Sequence, residues 1–260
     1  MIKSITVIIN QKGGVGKTTT ACALGIGLSR IGYKVLFIDL DAQCNLSYNL
    51  NANLDSFSIF DLLNNKPLKV EKVIQHINNI DLIPNIPKMS VSNNNLVKLA
   101  RKKYKLKNIL KDIKDNYDYI IIDTPPSFNI FTINALVAAD SVIIVALSDI
   151  FSIRGIYQVN DIVNGIQQRN NKTLKILGIL LTKYNVHTIL NREMTKLLYK
   201  TAKNINTKLY NTKIRESIHI KESQLFKQNI YNYMPNSNVT TDYKNFTKEY
   251  IKDINKKIIN

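Results

Sequence analysis

Gln11-Lys12-Gly13-Gly14-Val15-Gly16-Lys17-Thr18-Thr19 decides the fold. Before it, Ile5 to Ile9 is an apolar run that reads as a buried strand. After it, Ala21, Leu24, Leu28 and Ile31 recur at helical spacing up to Gly32. Strand, Gly-rich loop and helix in that order form the setting of a phosphate-binding loop. Glycines let backbone N–H groups close around a polyphosphate where a Cβ would stand in the way. The helix N-terminus adds unpaired donors and a partial positive charge. In this pattern Lys17 reaches the outer phosphates and the Thr18 hydroxyl holds Mg2+. The expected nucleotide-binding residues are Lys12, Gly13, Gly14, Val15, Gly16, Lys17, Thr18 and Thr19.

The usual spacing, G-x-x-x-x-G-K-[ST], asks for glycine at position 11, where this chain has Gln. In its place the loop carries a second lysine, Lys12. One lysine suffices to neutralise a terminal phosphate. The second therefore reads as a group that acts on the nucleotide of a neighbouring subunit.

Two further segments support the same site. Val35 to Ile38 is an unbroken apolar run, as in a parallel strand buried on both faces. It ends in Asp39-Leu40-Asp41, at the strand edge where open α/β sheets bind ligands. Tyr119 to Ile122 is a second such run and ends at Asp123, placed to hold a Mg2+-bound water opposite Thr18.

Lys12 to Thr19 resembles the deviant phosphate loop of the ParA/MinD ATPases, most closely the ParA/Soj partition proteins. Asp39-Leu40-Asp41-Ala42-Gln43-Cys44-Asn45 is similar to that family's switch I, with Ala42 where proline is usual. Asp123-Thr124-Pro125-Pro126-Ser127 is similar to its switch II, and Thr132 to Leu136 continues the match. The resemblance implies catalytic roles for Lys12, Lys17 and Asp41, with Asp41 orienting or activating the attacking water. It implies a Mg2+ shell of Thr18, Asp39 and Asp123, and an adenine-side contact from Thr182. It further implies ATP and Mg2+ as ligands, an ATP-dependent homodimer, non-specific DNA binding, and a ParB-like centromere-binding partner that stimulates hydrolysis. The location implied is cytoplasmic and nucleoid-associated.

Strand and helix patterns alternate along the chain, with no repeat or long linker. Residues 1–260 are expected to form one α/β unit, a doubly wound and mainly parallel sheet with helices on both faces. Further strands are expected at Ile80–Pro84, Asp140–Ala146 and Ile176–Leu181. Helices are expected at Phe57–Leu63, from Asn93–Asn95 through Lys107, at Ile150–Arg169, from Thr188, and at Asp242–Ile258. On the last, Tyr243, Phe246, Tyr250 and Ile254 share a face, which reads as packing on the body.

The net charge is +17, unevenly placed. Residues 1–150 hold 17 Lys and Arg against 12 Asp and Glu; residues 151–260 hold 19 against 7. A Lys-, Asn- and Ile-rich composition explains the abundance of lysine but not the scarcity of acids in the second part. A basic face for a polyanion is the better reading. Arg192, Lys196, Lys213, Arg215 and Lys221 are the expected DNA contacts. The basic run Arg101, Lys102, Lys103, Lys105 and Lys107 reads as a solvated helix face or a second contact.

Other classes fit less well. A MinD-like membrane-cycling ATPase would use an amphipathic C-terminal helix, and Tyr250 to Ile259 lacks a bulky apolar cluster. An iron–sulfur reductase would need paired cysteines, and Cys22 and Cys44 have no such spacing. His76, His187 and His219 form no metal pattern. No apolar run approaches the ~20 residues of a membrane span, and the opening residues do not read as a signal peptide. A DNA-binding module that holds ATP without hydrolysing it stays open on the sequence alone.

Overall fold

The computed structural model describes residues 3–64, 68–87, 103–186 and 188–259. In chain order the strands are β1 (Ser4–Ile9), β2 (Val35–Asp39), β3 (Gln75–Ile77), β4 (Ile80–Ile83), β5 (Tyr119–Asp123), β6 (Ser141–Ala146), β7 (Lys175–Tyr184) and β8 (Leu209–Arg215). The helices are α1 (Lys17–Arg30), α2 (Asn45–Asn49), α3 (Ile59–Leu63), α4 (Lys105–Lys111), α5 (Ile130–Ala138), α6 (Ile150–Arg169), α7 (Ile189–Asn204), α8 (Ile218–Leu225), α9 (Ile230–Tyr233) and α10 (Asn238–Ile259).

The strands join in one sheet, ordered β3-β4-β2-β5-β1-β6-β7-β8 among the described residues. Every neighbouring pair is parallel except β3 with β4. The chain moves to one side of β1 for β2 and β5 and to the other for β6 and β7. The loop after β1 therefore leaves the sheet at its topological switch point, the crevice where such sheets bind ligands.

Both faces of the sheet are covered, which is why the strands read as continuous apolar runs. Val7, Ile9, Leu36, Ile38, Ile120 and Ile122 bury one face with Leu106, Ala135, Val159 and Val163 of α4, α5 and α6. Ile8, Phe37, Tyr119 and Ile121 bury the other with Leu24 and Leu28 of α1 and Tyr243, Phe246, Tyr250 and Ile254 of α10. The C-terminal face expected to pack on the body does so, each of those four residues being buried.

Helix α1 lies close to its neighbours because it carries glycine where they approach. A Cβ on Gly25 would stand 2.2 Å from the Phe37 ring, and one on Gly27 2.6 Å from the Tyr231 and Thr247 hydroxyls. Gly25→Ala is expected to cost about 1–3 kcal/mol through this overpacking. A thermal midpoint lowered by several degrees checks it; an unchanged midpoint contradicts it.

The expected strands and helices occur where they are described, with two kinds of difference. Strand β7 runs on to Tyr184, and β3, β8, α2, α8 and α9 were not anticipated. The helix start at Asn93–Asn95, together with Arg101, Lys102 and His187, lies outside the described residues.

Candidate functional site

The loop is built from its first residue. Asn10 ends the β1 run. Its Nδ2 donates to the Val145 carbonyl at 2.6 Å, and its Oδ1 accepts the Lys12 amide at 2.9 Å. Gly14 (φ +73°) and Gly16 (φ +90°) take left-handed backbone, the conformation glycine alone adopts at little cost. A Cβ at Gly13 or Gly14 would project into open space, the room a bound anion needs. Helix α1 begins at Lys17 with no side-chain cap and no acid in its first turn, so its leading N–H groups stay available to an anion.

Lys17 is buried beneath the loop and donates to the Lys12 carbonyl at 3.1 Å. Burial pushes its pKa down, while the charges of Asp123 and Asp41 work against that shift. Asp39 and Asp123 lie side by side at the ends of β2 and β5, both fully buried. Burial raises the Asp39 carboxyl to about 6, against the hydrogen bonds it accepts from Ser47 and Asp41. Burial and then the neighbouring Asp39 charge raise Asp123 well above the carboxylate range, opposed by Thr18 and Lys17.

The two carboxylates differ in what they hold. Asp39 accepts from the Asp41 amide on Oδ1 (3.1 Å) and from the Ser47 amide and hydroxyl on Oδ2 (2.9 and 2.7 Å), so it organises its own loop. Asp123 accepts the Thr124 amide on Oδ1 at 3.1 Å, and its buried Oδ2 has no partner among the described residues. A bare carboxylate oxygen beside the Thr18 hydroxyl suits a hydrated divalent cation. No group of three His, Cys, Asp or Glu among the described residues forms a metal cage by itself. A cation here would complete its shell from phosphate oxygens and water, the usual habit of Mg2+.

Gly14, Gly16, Lys17, Thr18 and Asp41 open onto a cavity of about 770 Å3, ample for a small-molecule ligand. One wall is the loop from Gly13 to Thr19, with Asp41 and Pro126. Thr182, Lys183, Ile214 to Ser217, and Ile220, Lys221 and Gln224 of α8 also line the cavity. Thr182 lines the cavity, but its hydroxyl donates to the Val15 carbonyl at 2.7 Å. Its observed work is to brace the phosphate loop.

Lys12 behaves unlike Lys17. Its side chain is 43% exposed, and its ammonium bonds Asp149 at 2.7 Å. Burial favours the neutral Asp149, but the bonds from Lys12 and the Ser152 amide outweigh it and lower the pKa. Asp149 is also the N-cap of α6. The lysine it meets lies 137 positions away in the chain.

A family model described as an AAA domain matches residues 3–176. The sporulation initiation inhibitor protein Soj of Bacillus subtilis is 34% identical over 248 residues, covering 94% of this chain and 97% of Soj. This chain belongs to the ParA/Soj family. Among solved structures, a plasmid partition protein from Borrelia burgdorferi superposes with a TM-score of 0.73 at 25% identity, covering 97% of this chain and 99% of that one. Cobyrinic acid a,c-diamide synthase from Mycobacterium smegmatis, with bound ADP and magnesium, superposes with a TM-score of 0.81 at 26% identity, covering 97% and 95%. One scaffold thus carries different chemistries, and the loops and surface decide which.

In this ParA/Soj-family chain the five basic candidates differ in what they hold. Arg192 and Lys196 are exposed on α7, and Lys196 pairs with Glu193 at 2.8 Å. Lys213 of β8 lies over the Tyr184 ring at 4.5 Å, and Arg192 and Lys213 both act on that phenol. Arg215 differs: its guanidinium grips Asp242 at 2.7 and 2.9 Å, and with Lys221 it lines the cavity wall.

Proposed function

We propose that this protein is an ATP-dependent dimerising ATPase that binds DNA without sequence preference and moves a plasmid or chromosome. The observation that carries this reading is the division of labour between two lysines in one loop. Lys17 is buried where a nucleotide's own phosphates would sit, and Lys12 is held by Asp149. The residues from Gly13 to Thr19 would bind ATP and Thr18 and Asp123 would hold Mg2+, while Asp39 fixes the loop beside them. When bound, Mg2+ neutralises developing charge on the phosphates. Asp41 orients a water whose oxygen bonds the γ-phosphorus as the bond to the bridging oxygen breaks, and ADP and phosphate leave.

Two subunits close on their nucleotides, and Lys12 exchanges Asp149 for the partner's phosphates, an electrostatic device comparable to an arginine finger. Dimerisation joins two basic surfaces, which raises DNA affinity through avidity. Loss of the γ-phosphate removes the bridge. Arg192 and Lys213 are the foremost DNA contacts, with Lys196 beside them on α7. A centromere-binding partner of the ParB type would set the timing of hydrolysis. The membrane-cycling alternative loses support from α10, whose apolar face is spent on the core, and no described helix is long and apolar enough to cross a membrane.

DNA retention measured with ATP, ADP and no nucleotide tests this reading, with retention expected in ATP alone. Binding through about five phosphates should weaken about 500-fold between 50 and 200 mM salt. A flat salt response, or strong preference for one sequence, contradicts it.

A further inference from the structure

Asn85 follows β4 by two residues and is fully buried. Strand β4 runs parallel to β2, with Ile83 opposite Ile38, so Asn85 emerges beside the Asp39–Asp41 turn. Its amide N–H donates to Ser47 Oγ at 2.9 Å, and its Nδ2 donates to the Asp41 carbonyl at 3.0 Å. Its Oδ1 accepts the Ile86 amide at 2.9 Å, which fixes the orientation of the side chain.

These bonds close a ring. Ser47 donates its hydroxyl and amide to Asp39 Oδ2, and Asp39 Oδ1 accepts the Asp41 amide. The Asp41 main chain is therefore held at both ends, its N–H by Asp39 and its C=O by Asn85. All four residues are buried. Side-chain bonds in such a dry setting are costly to leave unmade, so the ring fixes one loop geometry. The Asp41 side chain itself accepts the Gln43 amide at 3.0 Å and lines the cavity.

We propose that Asn85, acting through this ring with Ser47, is a positioning residue for hydrolysis that sets where the Asp41 carboxylate stands against the γ-phosphate. This rests on the reading of Asp41 as the group that orients the attacking water. Neither Asn85 nor Ser47 belongs to the phosphate loop. Their loss should act on the chemical step and spare nucleotide binding. Displacing a reacting group by about 1 Å costs up to about a hundredfold in rate.

The test compares full-length wild type, Asn85→Ala, Ser47→Ala, Ser47→Thr and Asp41→Ala by steady-state ATP hydrolysis and by affinity for a non-hydrolysable ATP analogue. Asn85→Ala and Ser47→Ala should lower kcat by about ten- to a hundredfold, with analogue affinity within about threefold of wild type. Ser47→Thr keeps the hydroxyl and should recover the rate. Asn85→Ala added to Asp41→Ala should cause no further loss, because both act through one carboxylate. Wild-type kcat in folded Asn85→Ala and Ser47→Ala would overturn the proposal. So would a parallel fall in kcat and analogue affinity, or a Ser47→Thr as slow as Ser47→Ala. If Asn85→Ala does not fold, the Ser47 pair decides. Wild-type hydrolysis by Asp41→Ala would remove the reading of Asp41 and the proposal with it, a result distinct from a failure at Asn85 alone.

Discussion

Lys12→Ala is expected to lose ATP-dependent DNA retention while still binding ATP. The loop separates the two properties. Lys17, Gly14, Gly16 and the start of α1 form the cradle, and the Lys12 ammonium turns instead to Asp149. That contact is partly exposed, with side chains 43% and 29% accessible. Exposed pairs of this kind contribute about 0–1 kcal/mol. It is a light restraint, easily exchanged for a phosphate in a closing interface. Truncating one member of a desolvated charge pair across an interface costs about 2–5 kcal/mol. The dimer should therefore weaken by about thirtyfold or more, and the avidity that holds DNA should go with it. DNA co-sedimentation with ATP checks this, alongside nucleotide binding by equilibrium titration.

Asp41→Ala should have the opposite signature. A side chain placed to orient the attacking water and take its proton contributes about 100- to 10,000-fold to rate. Asp41 lines the cavity, and its main chain is fixed by Asp39 and Asn85 irrespective of its side chain. Nucleotide should still bind and the dimer should still form. Phosphate release is expected to fall by at least about a hundredfold. DNA attachment should become long-lived, since the γ-phosphate proposed to bridge the dimer is not removed. Rapid release of DNA by Asp41→Ala in ATP would separate attachment from hydrolysis and contradict this sequence of events.

The central strands were legible because parallel strands buried on both faces leave unbroken apolar runs, as in Val35–Ile38 and Ile120–Ile122. The phosphate loop was legible because glycine spacing and lysine are chemical requirements of the ligand. The edges were not. Strand β3 is three residues long and only half-buried, and β8 carries Asn211, Thr212 and Lys213 in its middle. Neither leaves a period-2 signal. Helices α8 and α9 are short, and α8 buries only Ser223. For Arg215 the sequence shows the charge and hides Asp242, which binds it from α10. Asn85 and Asp149 matter through partners that the fold alone brings close, 44 and 137 positions away.

The central claim is that Lys12 serves the nucleotide of the opposite subunit. Light scattering on wild type and Lys12→Ala, each with Mg2+ and ATP, ADP or no nucleotide, tests it most directly. Wild type should double its mass in ATP alone, and Lys12→Ala should bind ATP yet keep the mass of one chain. A Lys12→Ala dimer as abundant as that of wild type in ATP would contradict the claim.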